Sequence, residues 1–186
     1  MNSLEDILAQ TKITVREYKT FKYKGDAAQL FKKSFLMVDK TIKTYHHLPE
    51  YDHVIDWIAD SKGKGLLLTG SLGRGKSVIL NGVIPLIFRA IHNKVLKPVP
   101  ARSYRFEEGR WGYCIDDIGQ EGVVNDYGTK LYSVADMISD AEDQMKLVVL
   151  SSNLTKSQLS DKYGDRIVDR LSRLCKTVVF NGNSFR

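Results

Sequence analysis

The sequence GLLLTGSLGRGKS, residues 65–77, decides the fold of this chain. Its first five residues are typical of a central strand of a parallel sheet, because they are apolar on both faces and are followed by glycines. The next eight residues fit the pattern G-x-x-x-x-G-K-[ST], and a helix is predicted to begin at Lys76. A strand, a glycine-rich turn and a helix in this order indicate a phosphate-binding loop.

The chemistry of phosphate binding explains the residue types in this loop. Its glycines let the backbone curl, so that successive N–H groups point at phosphate oxygens, and the helix N-terminus adds partial positive charge. We expect Lys76 to reach the β- and γ-phosphates and Ser77 to give its hydroxyl to Mg²⁺. The complete set of predicted ATP-binding residues is Gly70, Ser71, Leu72, Gly73, Arg74, Gly75, Lys76 and Ser77.

Strands and helices are predicted to alternate along the rest of the chain. Further buried strands are predicted at residues 111–115, 146–151 and 177–180. Helices are predicted at residues 26–43, 51–59, 76–92, 129–144 and 155–175, the last interrupted near Gly164. This order predicts an α/β fold, a parallel sheet with helices on both faces and right-handed crossovers.

Three prolines refine this prediction. Pro85 falls inside the predicted helix 76–92 and predicts a kink or a break there. Pro98 and Pro100 lie in the extended segment 95–106, which places part of that segment at an edge of the sheet.

Composition and charge limit the possible classes of function. The chain has 186 residues, 42% of them hydrophobic and 27% charged, as in ordinary globular domains. No apolar run approaches the roughly 18 residues of a membrane span, and the start carries no secretory signal, so we expect a cytoplasmic protein with no membrane association. Cys114 and Cys175 lack metal-site spacing and are expected to be buried, reduced thiols.

The net charge of +6 is concentrated at the two ends of the chain. A basic end can attract nucleic acid or an acidic protein, and it can equally be a solvated face. We divide the chain into a basic, partly helical N-terminal extension, residues 1–45, and a nucleotide-binding domain, residues 46–186. The extension could dock a partner, stack on single-stranded bases, or form a helix packed on the domain.

Two acidic residues end the predicted strand 111–115. Asp116 and Asp117 are expected at the carboxyl edge of the sheet, where phosphates would lie. Asp116 is the candidate Mg²⁺ ligand, and Asp117 is the candidate base for the attacking water. A strand that simply meets solvent is the alternative, but the spacing of 40 positions from Lys76 fits another strand–helix unit between the two segments.

Four further polar residues are candidates for the site. Asn153 follows the strand 146–151 and could hold the attacking water or cap the next helix. Arg166 and Arg170 share one helical face, where they could also form surface ion pairs with neighbouring aspartates. Arg186 ends the chain, a position at which an arginine is usually solvated.

Five segments together resemble one family. GSLGRGKS, the strand ending in Asp-Asp, LSSNLT, YGDRIVDRL and the final GNSFR are similar in order and spacing to the AAA+ module of DnaC/DnaI-type helicase loaders and of IstB-type transposition helper ATPases. The resemblance covers about residues 50–186. It implies a P-loop NTPase of the AAA+ (RecA-like) class.

The resemblance also implies roles for single residues. Asn153 matches the position called sensor 1, and Arg170 matches an arginine finger, which Arg166 would assist. Arg186 matches the sensor 2 arginine. Because an arginine finger reaches the ATP of a neighbouring subunit, the resemblance implies a homo-oligomer. The implied catalytic set is Lys76, Asp116, Asp117, Asn153, Arg166, Arg170 and Arg186.

The expected function is that of an ATPase of DNA replication, with ATP and Mg²⁺ as cofactors, that loads or remodels a replicative helicase on single-stranded DNA. A transposition helper ATPase differs only in its protein partner. A nucleotide-gated binding module with little turnover stays open, because Asp117 stands where AAA+ proteins usually have Glu. A P-loop kinase is the last alternative, and the polar segment ending in Asn153 argues against it.

Overall fold

The computed structural model describes residues 3–11, 17–107, 109–121, 124–126, 129–131 and 133–183. Seven strands are present in this part of the chain: β1 (Gly65–Gly70), β2 (Pro98–Pro100), β3 (Gly112–Asp116), β4 (Val124–Asp126), β5 (Thr129–Leu131), β6 (Leu147–Ser152) and β7 (Cys175–Phe180). Five of them form a sheet in the order β2-β3-β6-β1-β7, and every pairing in this sheet is parallel. The predicted parallel α/β sheet is confirmed.

The described residues also contain eight α-helices. They are α1 (Leu4–Gln10), α2 (Ala27–Val38), α3 (Pro49–Ala59), α4 (Lys76–Val78), α5 (Ile84–His92), α6 (Ser133–Asp143), α7 (Lys156–Tyr163) and α8 (Asp165–Leu174). The break between α7 and α8 at Gly164 is the predicted interruption.

The sheet separates two apolar cores. Leu66 and Leu68 of β1 point into a core formed with α2, α3 and α5, whereas Leu67 points into a second core with α6, α7 and α8. This alternation follows from the two-residue period of a strand. It explains why β1 is apolar at successive positions: a strand with helices on both faces has no solvent-facing side.

Residues before the predicted boundary at position 45 belong to the first of these cores. The rings of Phe31 and Phe35 on α2 lie 5.2 and 5.5 Å from the ring of Tyr51 on α3. The ring of Tyr51 in turn lies 6.2 Å from that of Phe180 in β7. The boundary predicted at residue 45 therefore separates segments that pack together.

Two predicted helices are shorter than expected. The helix predicted to reach residue 43 ends at Val38, because the Asp39 carboxylate accepts hydrogen bonds from both the backbone N–H and the hydroxyl of Thr41 and forms a turn. The helix predicted from residue 129 begins at Ser133, since residues 129–131 pair with β4 as an antiparallel strand. In both places a local hydrogen-bonding pattern overrides the helical periodicity.

The kink predicted at Pro85 takes the form of a widened helical turn. A π-helical turn, Ile79–Val83, separates α4 from α5 and ends two residues before Pro85. Because proline has no N–H to donate to the preceding turn, a wider turn accommodates it without ending the helix. β2, which contains Pro98 and Pro100, pairs only with β3 and is the predicted edge strand.

Both cysteines are buried free thiols, as expected. Burial raises the pKa of the Cys175 thiol to about 12, so this side chain stays protonated at neutral pH. None of the helices in the described ranges is long and apolar enough to cross a membrane.

The close approach of β1 and β6 gives a testable prediction. A Cβ atom at Gly65 would lie 2.2 Å from the backbone carbonyl oxygen of Val148, which cannot move without disturbing the sheet. We expect Gly65→Ala to lower the free energy of unfolding in urea by about 3 kcal/mol. Gly109→Ala is the control, because a Cβ there meets nothing within 4 Å and only the positive φ angle opposes it, at about 1 kcal/mol. Equal losses in the two variants would contradict this packing.

Candidate nucleotide-binding site

The glycine-rich loop is fixed between β1 and the end of β7. The Ser71 N–H donates to the Phe180 carbonyl at 2.7 Å. Gly70 has a φ angle of +105°, and a Cβ there would lie 2.3 Å from the same carbonyl oxygen. Only glycine fits this position, because it tolerates both the left-handed backbone and the contact.

Lys76 places its ammonium group inside the loop. Its Nζ donates to the carbonyls of Gly70 and Ser71, each at 2.8 Å, and the residue is buried. Burial lowers the pKa of Lys76, while the nearby Asp117 and Asp116 oppose that shift. Burial destabilises the charged ammonium group, and a nearby anion stabilises it again. This geometry therefore suits phosphate binding.

The predicted Mg²⁺ ligands lie side by side. The Ser77 hydroxyl is 3.3 Å from Oδ1 of Asp116, at the end of β3. The same carboxylate also accepts hydrogen bonds from the Ser151 hydroxyl and, at 2.6 Å, from the Asn81 amide. Hydroxyl and carboxylate oxygens are the hard ligands that Mg²⁺ prefers, so Ser77 and Asp116 fit the predicted metal.

Asp117 lies next to Asp116 but turns in a different direction. Its φ angle of +65° is left-handed, and its N–H donates to the Ser151 hydroxyl at 2.8 Å. Its Oδ1 accepts a hydrogen bond of 2.7 Å from the Asn153 amide. Burial, and then the charge of Asp116, raise the pKa of Asp117, although Lys76 opposes the shift. A carboxylate with a raised pKa is a better general base near neutral pH.

Asn153 has a free acceptor in this arrangement. Its Nδ2 binds Asp117, while its Oδ1 is buried and has no hydrogen-bond partner among the described residues. Buried polar atoms are nearly always hydrogen-bonded, so an orphaned oxygen beside a candidate base needs an explanation. A water molecule or a ligand group bound next to Asp117 would supply the missing donor.

Most of these side chains, Asp116 and Asn81 excepted, line one cavity of about 690 Å³. Its floor is formed by the loop residues from Leu72 to Ser77, together with Asp117, Ser151 and Asn153. Its opposite wall comes from the segment between α2 and α3, including Asp39, Thr44 and His46. The volume is within the range of small-molecule sites, and the wall extends the cavity beyond the phosphate-binding loop.

Sequence reasoning missed Asn81 and the cavity wall. Asn81 lies four residues after Ser77, a spacing that places two side chains on one helical face and could have identified it. The wall could not be found in this way, because residues 39–48 reach the cavity only through the packing of α2 and α3.

The candidate arginines lie elsewhere. On α8, Arg170 donates to Glu142 of α6 at 3.0 Å and is largely buried, whereas Arg166 is exposed. Neither residue lines the cavity. The suggested pairing with neighbouring aspartates is not what the structure has: Asp169 pairs with Arg173, and Asp165 accepts a hydrogen bond from the Ser160 hydroxyl. Arg186 lies outside the described residues.

The raised pKa of Asp117 predicts a gain in stability when its charge is removed. Since the folded state binds this proton more tightly than the unfolded chain does, stability falls as pH rises through the pKa of Asp117. We expect Asp117→Asn to unfold at higher urea concentration than wild type at pH 7. The gain should shrink as the pH is lowered and Asp117 becomes protonated.

Asp60→Asn is the matched control. The pKa of Asp60 is lowered, chiefly by the Lys62 N–H, so its carboxylate stabilises the fold at neutral pH and that contribution is lost in acid. Asp60→Asn should therefore be less stable than wild type at pH 7. Changes in stability of the same sign in both variants at pH 7 would contradict a raised pKa for Asp117.

Comparison with known proteins supports the fold. No family model and no curated protein sequence matches this chain. The crystal structure of DnaI aligns with 80% of this chain and 94% of its own, at a TM-score of 0.56 and 15% identity. The crystal structure of the DnaC helicase loader aligns with 80% and 99%, at a TM-score of 0.51 and 14% identity. At these identities the similarity shows the fold alone: this chain shares the fold of the DnaI and DnaC structures, as the resemblance of its motifs predicts.

Proposed function

We propose that this protein binds ATP with Mg²⁺ and hydrolyses it. The observation that carries the proposal is the grouping of Lys76, Asp117 and Asn153 around one cavity. Ser77 lines the same cavity, and its hydroxyl contacts Asp116. The P-loop brings the phosphate ligands and one metal ligand, and the neighbouring strand ends bring the second metal ligand, a base and an amide. A site that only binds phosphate and metal would need neither the base nor the amide.

Each residue has a distinct task in the proposed reaction. Lys76 binds oxygens of the β- and γ-phosphates and offsets their charge. Asp117 accepts a proton from a water molecule as its oxygen attacks the γ-phosphorus, and the bond to the bridging oxygen of ADP breaks. Asn153 accepts a hydrogen bond from that water through its free Oδ1 and holds Asp117 through Nδ2. A Mg²⁺ ion held by Ser77 and Asp116 would neutralise the charge that develops on the phosphates.

The finer proposal is that ATP turnover serves helicase loading in DNA replication. It is supported by the motif resemblance, and by the fact that one of the solved structures sharing this fold is a DnaC helicase loader. The basic ends of the chain are suited to single-stranded DNA or an acidic partner. In this proposal a homo-oligomer forms, and Arg170, assisted by Arg166, acts on the ATP of the neighbouring subunit, while Arg186 acts as the sensor 2 arginine.

ATP hydrolysis measured against protein concentration tests the shared site. We expect turnover per wild-type molecule to rise steeply with concentration, and Lys76→Ala and Arg170→Ala to lose at least about 10³-fold in rate. A mixture of the two variants should recover part of the activity, because one subunit can supply the arginine and the other the loop. Arg173→Ala is the control, since Arg173 lies on the same helix as Arg170 and also pairs with Glu142, but is more exposed.

Other outcomes identify other functions. If turnover per molecule does not change with protein concentration, and Arg170→Ala is fully active, an arginine acting between subunits is excluded. ATP binding that depends on Lys76 but gives no turnover would favour a nucleotide-gated binding module. Transfer of the γ-phosphate to a small acceptor would establish a kinase.

The protein partner is tested by co-purification and by loading. We expect the purified replicative helicase of the same host to bind this protein in an ATP-dependent manner. We also expect the protein to increase the amount of helicase found on circular single-stranded DNA, because loading requires opening or delivery of a ring. Lys76→Ala is the control for nucleotide dependence. Binding to a transposase with no effect on the helicase would instead support the transposition helper function.

A further inference from the structure

Arg74 lies within the phosphate-binding loop, but its side chain contacts residues outside it. Its Nε and Nη2 donate to Oε1 of Glu50 at 3.0 and 2.7 Å, and its Nη1 donates to the Asn183 carbonyl at 3.0 Å. The guanidinium group is buried, with 8% of the side chain exposed. Arg74 thus offers its backbone to the loop and its side chain to the segment that follows β7.

Glu50 connects three separate parts of the chain. It is buried near the N-terminus of α3, and its Oε1 also accepts a hydrogen bond of 3.0 Å from the Asn181 N–H. One carboxylate oxygen therefore joins α3, the phosphate-binding loop and residues 181–183. The neighbouring Tyr51 donates its hydroxyl to the Arg74 carbonyl at 3.2 Å, so the backbone of Arg74 is held from the same helix.

A buried ion pair of this kind is poorly explained by stability alone. Removing both charges from water costs about as much as their attraction returns, and apolar residues would often serve as well. Here Oε2 of Glu50 is also buried without a hydrogen-bond partner among the described residues. What the pair does provide is a rigid, forked connection with a fixed geometry.

Hydrogen bonds of Arg74 and Glu50 thus connect the loop to residues 181–183. At present the Lys76 ammonium binds two carbonyls of its own loop. Phosphate oxygens would compete with these carbonyls for the ammonium group, so phosphate binding would alter the contacts of the loop that contains Arg74. Because the guanidinium fork is rigid, such a change alters its contacts with Glu50 and Asn183.

We propose that Glu50 and Arg74 are positioning residues that couple nucleotide occupancy of the loop to the segment 181–183. The inference rests on the proposed nucleotide binding and goes beyond it, since it assigns a regulatory contact to a pair of side chains outside the proposed catalytic set. Binding couplings are reciprocal, so the segment 181–183 affects nucleotide affinity by the same factor by which nucleotide affects the segment.

Hydrogen exchange on the full chain tests the coupling. In wild type, ADP with Mg²⁺ and a non-hydrolysable ATP analogue with Mg²⁺ should each change exchange at residues 177–183 by about fivefold or more. The key variant is Glu50→Gln combined with Arg74→Met, which removes both charges and leaves neither one buried alone. It should lose this response and bind nucleotide at least about fivefold more weakly.

The control is Glu107→Gln, which disrupts an exposed ion pair with Arg110 and should leave both readouts unchanged. A purely structural pair would lower stability in the double variant but leave the nucleotide response of residues 177–183 intact, which would overturn the inference. Nucleotide binding in wild type without any change at these residues would overturn it even if the double variant does not fold. If the protein does not bind nucleotide, or if binding does not depend on Lys76, the proposed function is overturned, and the coupling with it.

Discussion

The central constraint of this structure is the parallel pairing of β1 with β6 on one side and with β7 on the other. Parallel strands place their carboxyl ends at one edge, so the loop that leaves β1 must lie beside the residues that end its neighbours. Asn153 follows β6, and β3, which pairs with β6, ends at Asp116. The site is thus a consequence of strand order, and the side chains supply the chemistry at a place that the sheet has already fixed.

The same arrangement places groups of like and opposite charge closer together than stability alone would favour. Lys76 is desolvated, and Asp117 is held next to Asp116 by a left-handed backbone and by the Ser151 hydroxyl. Strained backbone and perturbed pKa values at one edge of an otherwise regular sheet are typical of functional sites. The two apolar cores, which enclose both faces of β1, stabilise the fold and offset the cost of the strained backbone and the desolvated charges.

The sequence predicts those parts of the fold and the site that depend on local spacing. The strand, the loop and the helix around Lys76 are adjacent in sequence, and the turn at Pro85 follows from the chemistry of proline. Residues 129–131 were wrongly expected to be helical, because their pairing with β4 is not encoded in helical periodicity. The ion pair of Arg170 with Glu142 and that of Arg74 with Glu50 join residues 28 and 24 positions apart, beyond the reach of any local pattern.

The wall of the cavity changes how the N-terminal segment should be understood. The segment between α2 and α3 lines the cavity because these helices pack against each other and against the sheet, so this segment before β1 is part of the candidate site. A partner that binds this segment and shifts α2 would also alter the cavity. Because coupling between two binding sites is reciprocal, nucleotide would then change the affinity for that partner by the same factor. Nucleotide control of partner binding would then need no separate hinge or linker, because the partner and the nucleotide would both contact this one packed segment.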